Sequence, residues 1–242
     1  MNILVTNDDG VFAPGIKLLV EKLVKYADKI TVVAPLTEKS ATSHSINIKT
    51  GLTYKELDDI YPGVKTYAIE ASPADCVLFA TNVLKVEYDA VFSGVNRGYN
   101  IADDLIYSGT VAAAKEALLK GKKGIAVSCK DTSFNGLEYF DKVMNYLLNS
   151  PLFDEKVVIN INIPENAKGI KITHQAKSTY RAYYIQKEDG LYYSMCDRTV
   201  PINDEPNGDL MVVKSGYVSI TPLTYNQTDK DIYNKYMGGF IF

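Results

Sequence analysis

Apolar segments of strand length alternate with segments of helical period along most of this chain, and that alternation dictates a largely parallel sheet. NILVT at 2–6 reads as a buried strand, GIKLLVEKLVKYA at 15–27 sets Ile16, Leu19, Val20, Leu23 and Val24 on one helical face, and KITVVAP at 29–35 reads as a second strand. The unit recurs. YDAVFSG (88–94) is strand-like, TVAAAKEALLKG (110–121) is helical with a glycine stop, and KGIAVSC (123–129) is strand-like again. LEYFDKVMNYLLN then reads as a helix and KVVININIP as a strand. Strands joined through helix-length segments need crossover connections, so the expected fold class is α/β and Rossmann-like, with helices on both faces of the sheet.

Two stretches break the rhythm. Residues 45–70 alternate apolar and polar side chains around Gly51 and Pro62-Gly63, as an antiparallel ribbon or hairpin does. From Ile170 to about Asn203, the run ITHQAKSTYRAYYIQKEDGLYYSM reads as two strands around Asp189-Gly190, rich in tyrosine. An aromatic hairpin leaving an α/β core cannot bury its own faces, so it is expected to pack on a neighbouring subunit; folding back onto its own core is the alternative. With no internal repeat and no Ser/Pro-rich linker, residues 1–242 are expected to form one α/β domain with an arm at about 170–203.

In an open parallel sheet, ligands bind where loops leave the carboxyl ends of the strands. Three polar loops are expected to meet there: Asn7, Asp8 and Asp9 after the first strand, PLTEKSATSHS after the second, and VNRGYN after YDAVFSG. Two carboxylates, hydroxyls and the Asn96 amide are oxygen donors of the kind a hard divalent cation accepts, and such a cation would offset the repulsion between Asp8 and Asp9. Asp-Asp-Gly is also an ordinary turn, but its place directly after a buried strand and before a helix starting near Pro14-Gly15 favours a metal site. Ser40 lacks the surroundings of a nucleophile, having no G-x-S-x-G elbow, and suits metal ligation better. Ser108-Gly109-Thr110 opens a helix whose free amides and positive dipole end suit a phosphate, although Ser108 or Thr110 could simply cap it. A metal beside an anion-binding helix start implies metal-assisted attack on a phosphate ester. His44, sharing its loop with Ser40 and Ser43, is a candidate for proton transfer, whereas His174 reads as structural.

Composition narrows the class. A formal net charge of -3 supplies no global field for long nucleic acid. Cys76, Cys129 and Cys196 are widely spaced and odd in number, which suggests neither a disulfide framework nor a zinc site. No basic leader or bilayer-length apolar run is evident, so no membrane partner is expected and the cytoplasm fits best.

Taken together, N-D-D-G-(x)3-P-G at 7–15, V-A-P-(x)4-S-(x)3-H-S from 33 to 45, S-G-(x)-N-(x)-G-(x)-N at 93–100, D-D-(x)-I-Y-S-G-T-V-A-A-A at 103–114 and G-Y-V-S-I-T-P-L at 216–223 resemble the SurE family of stationary-phase survival proteins. The resemblance implies a divalent-metal-dependent phosphatase for nucleoside 5'-monophosphates, with a Rossmann-like core and a C-terminal hairpin exchanged in dimers or tetramers. It implies one Mg2+ or Mn2+ per subunit on Asp8, Asp9, Ser40 and Asn96, with Asp8 and Asp9 catalytic. The substrate side would comprise Ser108, Gly109 and Thr110, with Asn100 close by and His44 as the proton-transfer candidate. The sequence departs from the family pattern at Ala71-Ser72-Pro73-Ala74-Asp75-Cys76, where Gly-Thr begins the stretch, and at Gly208-Asp209, where Thr-Asp is common. Rival readings are a phosphatase of broader specificity (3'-nucleotides, short polyphosphate, sugar phosphate), a nucleotide sensor without turnover, and a receiver domain. The receiver requires a phospho-accepting Asp where this chain has Asn96.

Overall fold

The computed structural model describes residues 1–130, 132–177, 179–199 and 206–237. Strand β1 (Asn2–Thr6) leads through helix α1 (Pro14–Leu23) to β2 (Lys29–Pro35), the opening unit the sequence implies. A hairpin follows, β3 (Tyr54–Tyr61) and β4 (Val64–Ile69), turning at Pro62-Gly63 with Gly63 at φ +72, and β4 then adds in parallel to β2. Helix α2 (Pro73–Asn82), strand β5 (Ala90–Arg97), the short α3 (Asp104–Tyr107), α4 (Gly109–Leu119) and β6 (Lys123–Cys129) continue the crossover pattern. Helix α5 (Phe140–Leu148) and strand β7 (Val158–Ile163) complete the parallel part. Edge strand β8 (Ile170–Ile172) precedes the hairpin β9 (Thr179–Gln186) and β10 (Tyr192–Thr199); α6 (Asp209–Lys214), β11 (Val218–Leu223) and α7 (Lys230–Tyr236) end the chain.

The main sheet has the order β3-β4-β2-β1-β5-β6-β7-β11-β8, with β3 antiparallel to β4 and β11 antiparallel to β7. From β1 the chain winds outward through β2 to β4, then returns to β5 on the other side of β1. The strand order therefore reverses between β1 and β5, and the crevice at their carboxyl ends is where this topology receives a ligand.

The central parallel strands are buried on both faces, which is why KITVVAP and KGIAVSC read as continuous apolar runs. Helices α1 and α5 cover one face, where Ile16, Leu19, Leu23, Phe140, Met144 and Leu147 pack with Ile3, Phe92 and Ile161. Helices α2 and α4 cover the other, where Val77, Ala113 and Ala117 meet Leu4, Val33 and Val91. Close packing of α4 depends on Gly124, whose missing Cβ would lie 2.0 Å from the Ala114 carbonyl oxygen. The hairpin β9–β10 forms its own two-stranded sheet around Asp189-Gly190 and leaves Tyr184, Leu191 and Tyr192 exposed. Among the described residues no helix is long and apolar enough to cross a membrane.

Candidate functional site

Strand β1 ends in a buried polar turn. Asn7 is fully buried, and its amide closes the turn on Gly10, Nδ2 donating to the Gly10 carbonyl at 2.9 Å and Oδ1 accepting from the Gly10 N–H at 3.2 Å. Gly10 takes φ +102 there, with the backbone of Thr37 and Glu38 close behind it. The turn sets Asp8 inward and Asp9 at the crevice.

Asp8 is 4% exposed and accepts two hydrogen bonds from one residue, Thr110: from the hydroxyl at 2.6 Å and from the backbone N–H at 3.2 Å. Burial pushes its carboxyl up to about 6, aided by the Asp9 charge and opposed by the Thr110 bonds. Burial also raises the Asp9 carboxyl, while the backbone N–H and guanidinium of Arg97 pull it down and Glu38 pushes it up. No salt bridge among the described residues engages Asp8 or Asp9 directly.

The other two loops close on this turn. The Lys39 N–H donates to the Asp8 carbonyl at 2.7 Å, fixing the loop that carries Ser40, whose hydroxyl donates to Glu38 at 2.7 Å. Glu38 in turn lies 3.9 Å from the Arg97 guanidinium. The Ser43 N–H and hydroxyl bond to the carbonyls of Tyr107 and Ile106, tying the far end of the same loop to α3. Strand β5 runs three residues beyond the expected Gly94, so Asn96 and Arg97 stand at the strand's end rather than in a loop, paired with Ser128 and Cys129 across a register shift. Asn96 Nδ2 donates to the Gly98 carbonyl at 2.9 Å, which leaves Oδ1 as its ligating atom. Two carboxylates, a hydroxyl and an amide oxygen, with Asp8 desolvated and in no salt bridge among the described residues, are donors of the kind that fits a hard divalent cation.

At the start of α4, Ser108 caps the helix, its Oγ accepting from the Val111 N–H at 3.0 Å. Gly109 packs tightly against the acid turn: a Cβ would lie 3.1 Å from Asp8 Cβ and 3.2 Å from its Oδ2. Asn100 faces inward, its Nδ2 donating to Ser128 Oγ, its N–H to Asn162, and its carbonyl accepting from both Asn160 and Asn162. His44 turns away from the acid pair, with Nε2 3.0 Å from the buried Glu116, which Lys120 also approaches at 3.5 Å. His174 makes a bridge with Gly208 at the base of the hairpin.

Several residues here escape a sequence reading. Glu116 lies 72 positions from His44, and nothing local announces the pair. Asp209 is fully buried and accepts from the N–H groups of Ala102 and Ala176, fastening the Asn100 loop to the base of the hairpin. Asn160 and Asn162 did carry a signal: two amides at alternate positions of the buried run VININI. In the departing stretch, Ser72 supplies the capping hydroxyl of α2, boxed with Asp75, whose carboxylate also receives the Asn47 N–H.

A family model described as "Survival protein SurE" matches residues 3–182. The chain belongs to the SurE family. It is similar to the protein named 5'-nucleotidase SurE of Petrotoga mobilis, 38% identical over 96% of each chain. It is also similar to the protein of that name from Clostridium botulinum, 37% identical over 95% of each. The crystal structure of the SurE protein from Aquifex aeolicus superimposes with a TM-score of 0.78 at 30% identity, covering 97% of this chain and 98% of that one. In this SurE-family chain the Asp8–Thr110 contact lies at the strand-order reversal.

Proposed function

We propose that this SurE protein hydrolyses nucleoside 5'-monophosphates to nucleoside and inorganic phosphate with the help of a divalent cation. The observation that carries this reading is the pair of hydrogen bonds that Thr110 donates to Asp8, because they join the acid pair to the start of α4 in a single site. Its relatives' name, 5'-nucleotidase, supports the substrate class.

Asp8, Asp9, Ser40 Oγ and Asn96 Oδ1 would hold Mg2+ or Mn2+. Once bound, that ion neutralises charge on the phosphate ester and lowers the pKa of a water molecule. The chain's own groups do the positioning. Thr110 orients Asp8, and the N–H groups of Thr110 and Val111 are engaged by Asp8 and Ser108, so the Gly109 N–H and the Ser108 hydroxyl at the positive end of α4 are the donors that would receive the phosphate. Asp209, Asn160 and Asn162 hold the 96–103 segment behind Asn96.

The test is phosphate release from a panel of 5'- and 3'-nucleotides, sugar phosphates and short polyphosphate, with and without chelator. Chelation is expected to abolish release and added Mn2+ or Mg2+ to restore it, with 5'-nucleotides turned over fastest. Unchanged release in chelator would overturn the metal-dependent mechanism, and preference for another ester would overturn the substrate.

The exposed hairpin is proposed as the contact between copies. Tyr184 is 69% and Tyr192 66% exposed, large aromatic faces that one chain leaves uncovered. Sedimentation of the native protein is expected to show a dimer or tetramer, and the double substitution Tyr184→Asp, Tyr192→Asp a monomer with an unchanged circular dichroism spectrum. An unaltered assembly would remove the hairpin from the interface.

A further inference from the structure

Beside the start of α4 lies a cleft of about 200 Å³ lined by His44, Ser108, Lys115, Gln175, Tyr225 and Gln227. Ser108, Ala112 and Lys115 follow one another along a single stripe of α4. At 1.5 Å per residue Lys115 stands about 10 Å along the axis from Ser108. That is the scale of a nucleotide measured from phosphate to base edge. Resting on the nucleotidase reading above, we propose that this cleft receives the base of the substrate and selects a 6-oxopurine, with Lys115 and Gln175 reading its edge and Tyr225 stacking on its face.

Each group argues for that ligand. Lys115 is half-buried, and burial holds its ammonium below the usual lysine range. The nearby carboxylate, Glu116, is engaged by His44 and Lys120, and among the described residues no carboxylate pairs with Lys115. An ammonium is a donor only, so it calls for acceptors. A 6-oxopurine offers O6 and N7 side by side, where adenine puts an amino donor in place of O6. Gln175 Nε2 gives one of its two N–H groups to the Ala102 carbonyl at 2.9 Å, which fixes the amide and leaves Oε1 to serve as an acceptor. The N1–H of a 6-oxopurine meets that acceptor, and adenine has no such hydrogen. Tyr225, half-exposed in the lining of the same cleft, supplies a ring face that any base can use.

The experiment measures kcat and KM for GMP, IMP, AMP and the base-free ester para-nitrophenyl phosphate, using the full chain with Mn2+. The native protein is expected to favour GMP and IMP over AMP by about tenfold in kcat/KM. Lys115→Met keeps helix propensity and length, and is expected to bring the three nucleotides within about twofold of one another by raising KM for GMP and IMP. Tyr225→Ala is expected to raise KM about tenfold for all three nucleotides. Both variants are expected to cleave para-nitrophenyl phosphate at the native rate. Native preference for AMP, or nucleotide KM values unmoved by both substitutions, would overturn the assignment of the cleft while leaving the nucleotidase reading intact. Cleavage of para-nitrophenyl phosphate without cleavage of any nucleotide would instead reject the nucleotidase reading, and the base site with it.

Discussion

Asp9→Asn is expected to lower nucleoside monophosphate hydrolysis by at least about 10³-fold, some 4 kcal/mol of transition-state stabilisation, while making the metal-free protein more stable. The two effects share one cause. Asp9 is a partly buried carboxylate whose surroundings hold it above the ordinary range, since burial and Glu38 outweigh the help from Arg97. A carboxylate with a raised folded-state pKa favours the fold while protonated, and that contribution is lost as pH rises through the raised value, so at neutral pH the ionised group destabilises the apo fold. The neutral amide removes this penalty but offers a divalent cation no negative charge. A rise of a few degrees in Tm in chelator, with manganese no longer stabilising the variant, checks both halves. Asp9 is a cleaner choice than Asp8, because an amide at position 8 would face the Thr110 N–H and hydroxyl and disturb the seat of α4 as well. Native turnover by Asp9→Asn would show that the acid pair is structural.

Why Asp8 and Asp9 could be read from the sequence, and Glu116 could not, follows from where the information lies. Two like charges at the end of NILVT, a strand with no polar face, conflict with burial unless something offsets them, and that conflict is local. Strands β2 and β6 were legible for a related reason: burial on both faces writes itself as an unbroken apolar run. The end of β5 was not. Val95, Asn96 and Arg97 contain no strand signal after the glycine, and they extend the ladder only because β6 offers Ser128 and Cys129 across a shifted register. Likewise β8 is three residues with exposed Lys171 and Ile172, drawn into the sheet by β11, some fifty residues later. The Asp209 junction depends on three segments meeting, 102, 176 and 209, and only the assembled fold brings them together. Sequence patterns report a residue's own burial, while partnership across the chain is a property of topology.

Gly15→Ala is expected to damage the fold and the candidate cation site together. Gly15 lies in the first turn of α1, and a Cβ built on it falls 2.1 Å from the Val95 carbonyl oxygen and 3.2 Å from the carbonyl carbon. No rotamer relieves that overlap, because both partners are backbone: α1 must lift or β5 must bend. Overpacking of this kind costs roughly 3 kcal/mol, which for a chain of this size lowers Tm by about 6–12 °C. Gly51→Ala is the control, since nothing lies within 4 Å of its Cβ position and its φ is not positive; it should melt within about 2 °C of the native protein. The consequence for function follows from the neighbours of the clash. Gly15 shares with Asp9 and Arg97 the lining of a cavity of about 270 Å³, and Val95 adjoins Asn96, so any movement that accommodates the methyl group separates the β1 turn from the end of β5. Manganese titrated by calorimetry into the folded variant below its Tm should therefore bind at least tenfold more weakly than to the native protein, as expected when the support of a ligand set is displaced. A variant that melts at a much lower temperature yet binds manganese normally would show that the cation is held without Asn96. One that melts normally would show that α1 can move off the sheet at no cost, against the close packing that places Asp9 at the crevice.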